Sequence, residues 1–203
     1  MTRRLALILA VLFVCLTACP VALADRVWSC ERVLNCGGNK ACVGYAWATW
    51  SACRPIATDM DNADGYRIWR AACRVEGRKS SYGGGVHTAS GLTVMKREGR
   101  IASVSVTQDV KVAKAFVLHH GPVVLETLWW PNMSYPHNGL MTADGGRLLG
   151  KHAYVWIGMR HGYAVIQNVW GSSWSGDGKA RMSLRTIDTL LYIGGKAFLA
   201  VER

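Results

Sequence analysis

Apolar spacing in this chain changes period once, at Gly121-Pro122, and that change limits the fold more than any other feature. Upstream, apolar residues recur at helical intervals. Residues 42 to 53, with Val43, Tyr45, Ala46, Trp47, Ala48, Trp50 and Ala52, are apolar almost all round, which is the mark of a buried helix. Arg54-Pro55 ends it. Tyr66, Ile68, Trp69 and Ala72 predict a second helix over Gly65 to Val75. Val86 to Glu98, closed by Gly99, predicts a third, and Val110 to His119 a short amphipathic fourth. Arg78 to Gly85 is polar and Gly-rich and reads as a loop. Downstream, Val123 to Leu128, His152 to Met159, Tyr163 to Val169, Ala180 to Leu184 and Ala197 to Val201 read as strands. Arg160-His161-Gly162 reads as a tight hairpin turn. Helices first and strands afterwards predict an α+β protein. A helical lobe spans about 25–120 and an antiparallel sheet lobe about 121–203, with a ligand cleft between them.

The N-terminus has a different character. Arg3 and Arg4 precede an unbroken apolar run from Leu5 to Leu16, and Ala22-Leu23-Ala24 is a small-x-small cleavage site. Residues 1–24 therefore read as a secretory signal that leaves Asp25 as the mature start. Leu16-Thr17-Ala18-Cys19 offers a second processing route: a lipoprotein signal over 1–18, with Cys19 carrying the lipid. An uncleaved anchor is the third reading, but twelve apolar residues fall short of the roughly 20 needed to span a bilayer. Periplasmic or extracellular residence follows, and with it an oxidising compartment where disulfides persist. Five cysteines lie beyond the signal. The odd count predicts Cys42 as the free thiol and two bridges among Cys30, Cys36, Cys53 and Cys73, in any of three pairings.

The 203 residues suit one domain or two lobes sharing a cleft, and half of them are hydrophobic, including nine Trp, which excludes a disordered chain. A formal charge of +11 falls to about +9 once Arg3 and Arg4 leave. Such a basic exported protein meets anionic envelope surfaces or acidic polypeptides. Nucleic acid is not expected, because there is no helix-turn-helix signal, RNP-like strand or dense Lys/Arg stripe. The scattered His residues and the cysteine spacing fit no metal site, and no cofactor is implied.

Chemistry concentrates in three places. Cys42, in Lys40-Ala41-Cys42-Val43-Gly44-Tyr45-Ala46-Trp47, stands at the head of the apolar helix. A helix N-terminus and the charge of Lys40 both favour a thiolate, so a lowered thiol pKa is expected. His152, in Gly150-Lys151-His152-Ala153-Tyr154-Val155-Trp156, opens a strand, and Asn168 ends the next one across the hairpin. Adjacent antiparallel strands bring those two side chains together. A thiol, an imidazole and an amide supply a nucleophile, a general base and a group that orients the base.

Gln167-Asn168-Val169-Trp170-Gly171-Ser172-Ser173-Trp174 resembles the Asn-Ser-Trp-Gly-x-x-Trp-Gly motif of the papain-like cysteine peptidases. With Cys42 and His152 in the matching order, nearly everything after residue 30 is similar to that family, most of all to its short bacterial and phage relatives. The resemblance implies the two-lobe papain-like fold and hydrolysis of polypeptides by Cys42, His152 and Asn168, with Trp170 shielding the His–Asn hydrogen bond. It implies a Gly-rich edge at Gly84 and Gly85 that holds the peptide backbone. About 17 residues separate Asp25 from Cys42, which leaves no room there for the inhibitory propeptide usual in the family.

Several positions depart from the family pattern. Lys40-Ala41-Cys42-Val43 stands for Gly-Ser-Cys-Trp, Val169 for Ser, and Lys151 for the Gly before the His. Asn39 replaces a Cys that many relatives bridge. Cys36 occupies the position of a Gln whose amide donates to the oxyanion, and a thiol is a poor donor. Losing one such donor costs roughly 100- to 1,000-fold in rate. Asn35 would replace it after a small loop shift, or the site is impaired. Three readings follow: an active peptidase, an inactive papain-fold protein that binds peptides or a partner, and a thiol amidase that cuts cell-wall peptides. The oligomeric state is not legible.

Overall fold

In the computed structural model, residues 25–79 and 83–203 are described. The leader over 1–24, with Cys19 and both cleavage sites, lies outside them. The chain is a mixed α+β molecule built around one eight-stranded sheet.

Three helices come first: α1 (Cys42–Ala52), α2 (Asn62–Val75) and α3 (Thr88–Arg97). Helix α1 is the central one. Ten of its eleven residues are buried, and it has room for neighbours only because of glycines. A Cβ on Gly44 would run into the Gly65 carbonyl and Trp69, and a Cβ on Gly91 would strike Trp47 and Val43. Helices α2 and α3 therefore lie close against it. Asp61 caps α2, its side chain accepting from Asp64 N at 3.0 Å while Asp64 accepts from Asp61 N.

The sheet runs β2-β8-β3-β5-β6-β7-β4, with the two-residue β1 (Arg26–Val27) paired onto β5. Its strands are β2 (Ile101–Thr107), β3 (Val123–Trp129), β4 (Leu140–Met141), β5 (Gly150–Arg160), β6 (Tyr163–Gln167), β7 (Lys179–Ser183) and β8 (Lys196–Glu202). All pairings are antiparallel except β4 with β7. Along β5 the side chains alternate between two cores. Ala153, Val155 and Ile157 join the helical cluster around Trp47 and Trp50. Tyr154 and Trp156 join a second cluster covered by α4 (Val110–His119) and α6 (Leu184–Tyr192). A one-turn helix, α5 (Pro131–Ser134), follows β3. His161 and Gly162, both at positive φ, make the expected two-residue turn between β5 and β6.

Besides the short β1, β4 and α5, two longer elements were not expected. Strand β2 lies at the sheet edge and is mostly exposed; its sequence alternates Val104 and Val106 with Ser103, Ser105 and Thr107, a strand pattern within the stretch expected to form the helical lobe. Helix α6 immediately follows β7, capped by Ser183, whose Oγ accepts from Thr186 N. Strand β2 and helix α4 precede residue 121 yet pack with the sheet, so the helical layer proper ends with α3. The cysteines also need correcting. Among the described residues, a single bridge joins Cys30 to Cys53, while Cys36, Cys42 and Cys73 are free thiols. Cys73 is buried in the helical core and Cys36 is buried beside the nucleophile loop, so two of the four cysteines expected to pair serve as small apolar side chains. Among the described residues, no helix is long and apolar enough to cross a membrane.

Candidate active site

Cys42 is the first residue of α1, so its backbone N–H has no partner within the helix. The segment before it is stapled to the segment after Asn168. Cys36 N–H donates to Val169 O at 2.8 Å and Gly171 N–H donates to Leu34 O at 2.9 Å. At the other end of the segment, the Cys30–Cys53 disulfide ties it to the C-terminus of α1. The nucleophile loop is thereby held at both ends.

His152 lies near the start of β5 and Asn168 just after β6. Their side chains meet, with His152 Nε2 2.9 Å from Asn168 Oδ1. The same oxygen accepts the backbone N–H of Val169 at 2.8 Å. Two donors thus converge on Oδ1, which fixes the amide orientation and requires the proton on Nε2. In the neutral ring, Nδ1 is then the basic nitrogen. Asn168 Nδ2 is buried without a hydrogen-bond partner among the described residues, a cost of about 1–3 kcal/mol that this orientation carries. Aromatic rings enclose the imidazole. The Trp129, Trp170 and Tyr154 centroids lie 4.4, 4.8 and 5.9 Å from its own, and Trp170 in turn meets Trp174 edge-on at 6.3 Å.

Cys42, His152 and Trp170 line one cleft of about 450 Å³. Gly37 to Lys40 form the wall beside Cys42, Gly85 closes one side, and Leu149 and Lys151 continue the wall of His152. A second groove of about 560 Å³ opens on the far side of Trp170, lined by Tyr135, His137, Asn138 and Trp174 among others. Gly84 lies just behind the cleft edge, its carbonyl accepting from Trp69 Nε1 at 3.2 Å. Glu76 organises that edge: its Oε1 accepts from His87 N–H at 2.7 Å and from the Ser90 hydroxyl at 2.8 Å. Burial pushes the Glu76 carboxyl up, but these donors, with Arg78, outweigh it and hold the carboxyl below its ordinary value.

Burial dominates the reacting groups. It pushes the His152 imidazole down from 6.5 to about 4, with the Asn168 hydrogen bond opposing. It pushes the Cys42 thiol up. N–H groups of Ala153 and Val43 offset part of that rise, and the Glu126 carboxylate adds to it. The expected lowering of the Cys42 pKa is therefore reversed, because desolvation outweighs the backbone N–H groups that favour the thiolate. Burial thus disfavours the charged form of both groups, the thiolate of Cys42 and the imidazolium of His152.

Cys36 stands in the segment ahead of Cys42. Its Sγ is 3.7 Å from Gly37 O, and burial, then Cys42, raises its pKa to about 12. Asn35 does not line the cleft. Its Oδ1 accepts Gly37 N–H at 2.8 Å, and its side chain packs on Gly171. Shifting Asn35 into the cleft would break that turn. Two contributors were missed or only half seen in the sequence. Trp129 ends β3 and is buried against His152. Glu126 is buried on β3, accepts Thr88 N–H at 2.9 Å and lies 3.8 Å from Lys151 Nζ. A Glu inside the apolar run Val123 to Leu128 was the available signal.

No protein-family model matches the chain, and no curated protein matches it by sequence. Solved structures do. Xylellain, a cysteine protease from Xylella fastidiosa, superposes with a TM-score of 0.69 at 14% identity, over 88% of this chain and 87% of its own. The Carica candamarcensis cysteine protease CMS1MS2, in complex with E-64, gives 0.63 at 14% identity, over 86% and 94%. The ragweed pollen allergen Amb a 11, a cysteine protease in its proform, gives 0.65 at 14% identity, over 92% and 67%. The chain has the fold of the papain-like cysteine proteases.

Proposed function

We propose that this protein is an exported cysteine-type peptidase in which Cys42, His152 and Asn168 act on polypeptide substrates. The observation that carries the reading is the two-donor lock on Asn168 Oδ1, which leaves His152 Nδ1 unprotonated in the cleft that Cys42 shares. Cys42 Sγ attacks a peptide carbonyl carbon while Nδ1 takes the thiol proton, so thiolate and imidazolium form together as the C–S bond is made. The oxyanion meets the unpaired N–H of Cys42 at the head of α1. His152 passes its proton to the leaving amine, the C–N bond breaks, and the thioester is hydrolysed by a water that His152 deprotonates. Trp170 and Trp129 keep bulk water from the Nε2–Oδ1 bond. Export is supported by the leader sequence and the Cys30–Cys53 bridge.

The test is labelling of the exported protein with an irreversible epoxide-type thiol-protease inhibitor, followed by mass mapping and a casein digest. The expected result is one adduct, at Cys42, that disappears in the His152→Ala variant. One specific observation favours a second reading. Cys36 offers the oxyanion no strong donor, which is what a peptide-binding protein on a peptidase fold would tolerate. No adduct and no digestion, with peptide binding retained, would establish that reading instead.

A further inference from the structure

Charge is unevenly placed around the reacting pair. Two lysines line the cleft, Lys40 in the wall beside Cys42 and Lys151 next to His152, and both are exposed. Among the described residues, no Asp or Glu lines it. The carboxylate whose charge reaches Cys42 is Glu126, and it is engaged elsewhere. It is buried, its Oε2 accepts Thr88 N–H at 2.9 Å, and its Oε1 faces Lys151 Nζ at 3.8 Å. Glu126 therefore draws Lys151 from behind without presenting a free oxygen to a ligand. An exposed ammonium thus stands on each side of the thiol, Lys40 on one and Lys151, with Glu126 behind it, on the other, each on a flexible stem.

We infer that the cleft selects acidic peptides, with an Asp or Glu side chain immediately flanking the scissile bond and received by Lys40 or Lys151. This rests on the reading of the cleft as a peptide site and names the substrate class for it. Exposed ion pairs are weak singly. A side chain answered by one or both lysines would gain about 3- to 10-fold over its uncharged isostere, and the gain would be salt-sensitive. A basic residue in the same place meets two like charges and is disfavoured.

The test separates binding from chemistry. The Cys42→Ala protein is titrated into fluorescein-labelled peptides that differ only in Glu, Gln or Lys at the central positions, read by anisotropy. The expected order is Glu, then Gln, then Lys. The Glu-over-Gln ratio should be about 3 or more at low ionic strength and near 1 in about 0.5 M NaCl. Lys40→Gln with Lys151→Gln should abolish the preference, and Lys40→Glu with Lys151→Glu should reverse it, while thermal melting verifies that both variants fold. Equal affinities, a preference for Lys, absence of peptide binding, or a preference unchanged in the double variants would overturn the inference. Wild-type labelling at Cys42 with casein digestion, but no Glu preference, would leave the peptidase reading intact. Glu-selective binding without labelling or digestion would do the reverse.

Discussion

His152 carries the clearest consequence of burial at the scale of single residues. Its imidazole titrates near 4 in the folded chain and at 6.5 when exposed, so the unfolded chain binds the extra proton throughout that interval. Stability should be unaffected above about pH 6.5 and fall as pH drops from there to about 4, by roughly 3 kcal/mol in all. Urea melts at a series of pH values read this directly, and His152→Gln should remove most of the slope. Activity should persist to similarly low pH, since the ring must be neutral to accept the thiol proton. Asn168→Asp places a carboxylate against Nε2–H, so the acidic limb of kcat/KM should move up in pH, whereas Asn168→Ala should lower kcat. Cys36→Gln tests the oxyanion donor: kcat should rise about tenfold or more, and a fall would mean that position 36 does not reach the oxyanion.

Helices, strands and loops explain what was legible and what was not. Helix α1 was readable because its residues are apolar on every side, β3, β5, β6 and β8 because apolar runs end in turn residues, and β7 because Ala180 and Met182 alternate with polar residues. The edge strand β2 was passed over although Val104 and Val106 alternate with Ser103, Ser105 and Thr107, because the run is short and only weakly apolar. The triad candidates were visible as motifs, but the thiol pKa was read in the wrong direction. Sequence shows the helix end and Lys40, while the desolvation that raises the thiol exists only once the chain has folded around the site. The close approach of α1 to α2 was equally invisible. Gly44→Ala drives a methyl group into Gly65 O and Trp69, and should cost about 3 kcal/mol or more in chemical denaturation. Glu76→Ala leaves His87 N–H and Ser90 without their acceptor, so the edge bearing Gly84 and Gly85 should loosen. KM would then rise several-fold while kcat holds, as steady-state kinetics on one peptide would register.

At the scale of the whole molecule, the fold depends on few cross-links. Five cysteines suggested two bridges, yet the chain keeps one, because Cys73 and Cys36 are worth more as core volume than as staples. Cys30→Ser with Cys53→Ser should therefore cost roughly 3 kcal/mol by loop entropy, measurable as a lowered urea midpoint. Casein digestion per folded molecule should be preserved, since neither sulfur reaches the cleft. Lobe boundaries drawn from sequence order were too simple for a related reason. Strand β2, helix α4 and the short β1 all return to one sheet from earlier parts of the chain.

Helix α1 packs directly on β5, and the same segment that carries Cys42 is stapled to the backbone beside Asn168 through Leu34 and Cys36. Cys42 and His152 are thus mounted on a single block, not on opposing jaws. Such a site works as a fixed die. Occupying it should shift the surrounding backbone by less than about 1 Å, and a change of selectivity calls for exchanging rim side chains, with no hinge to retune.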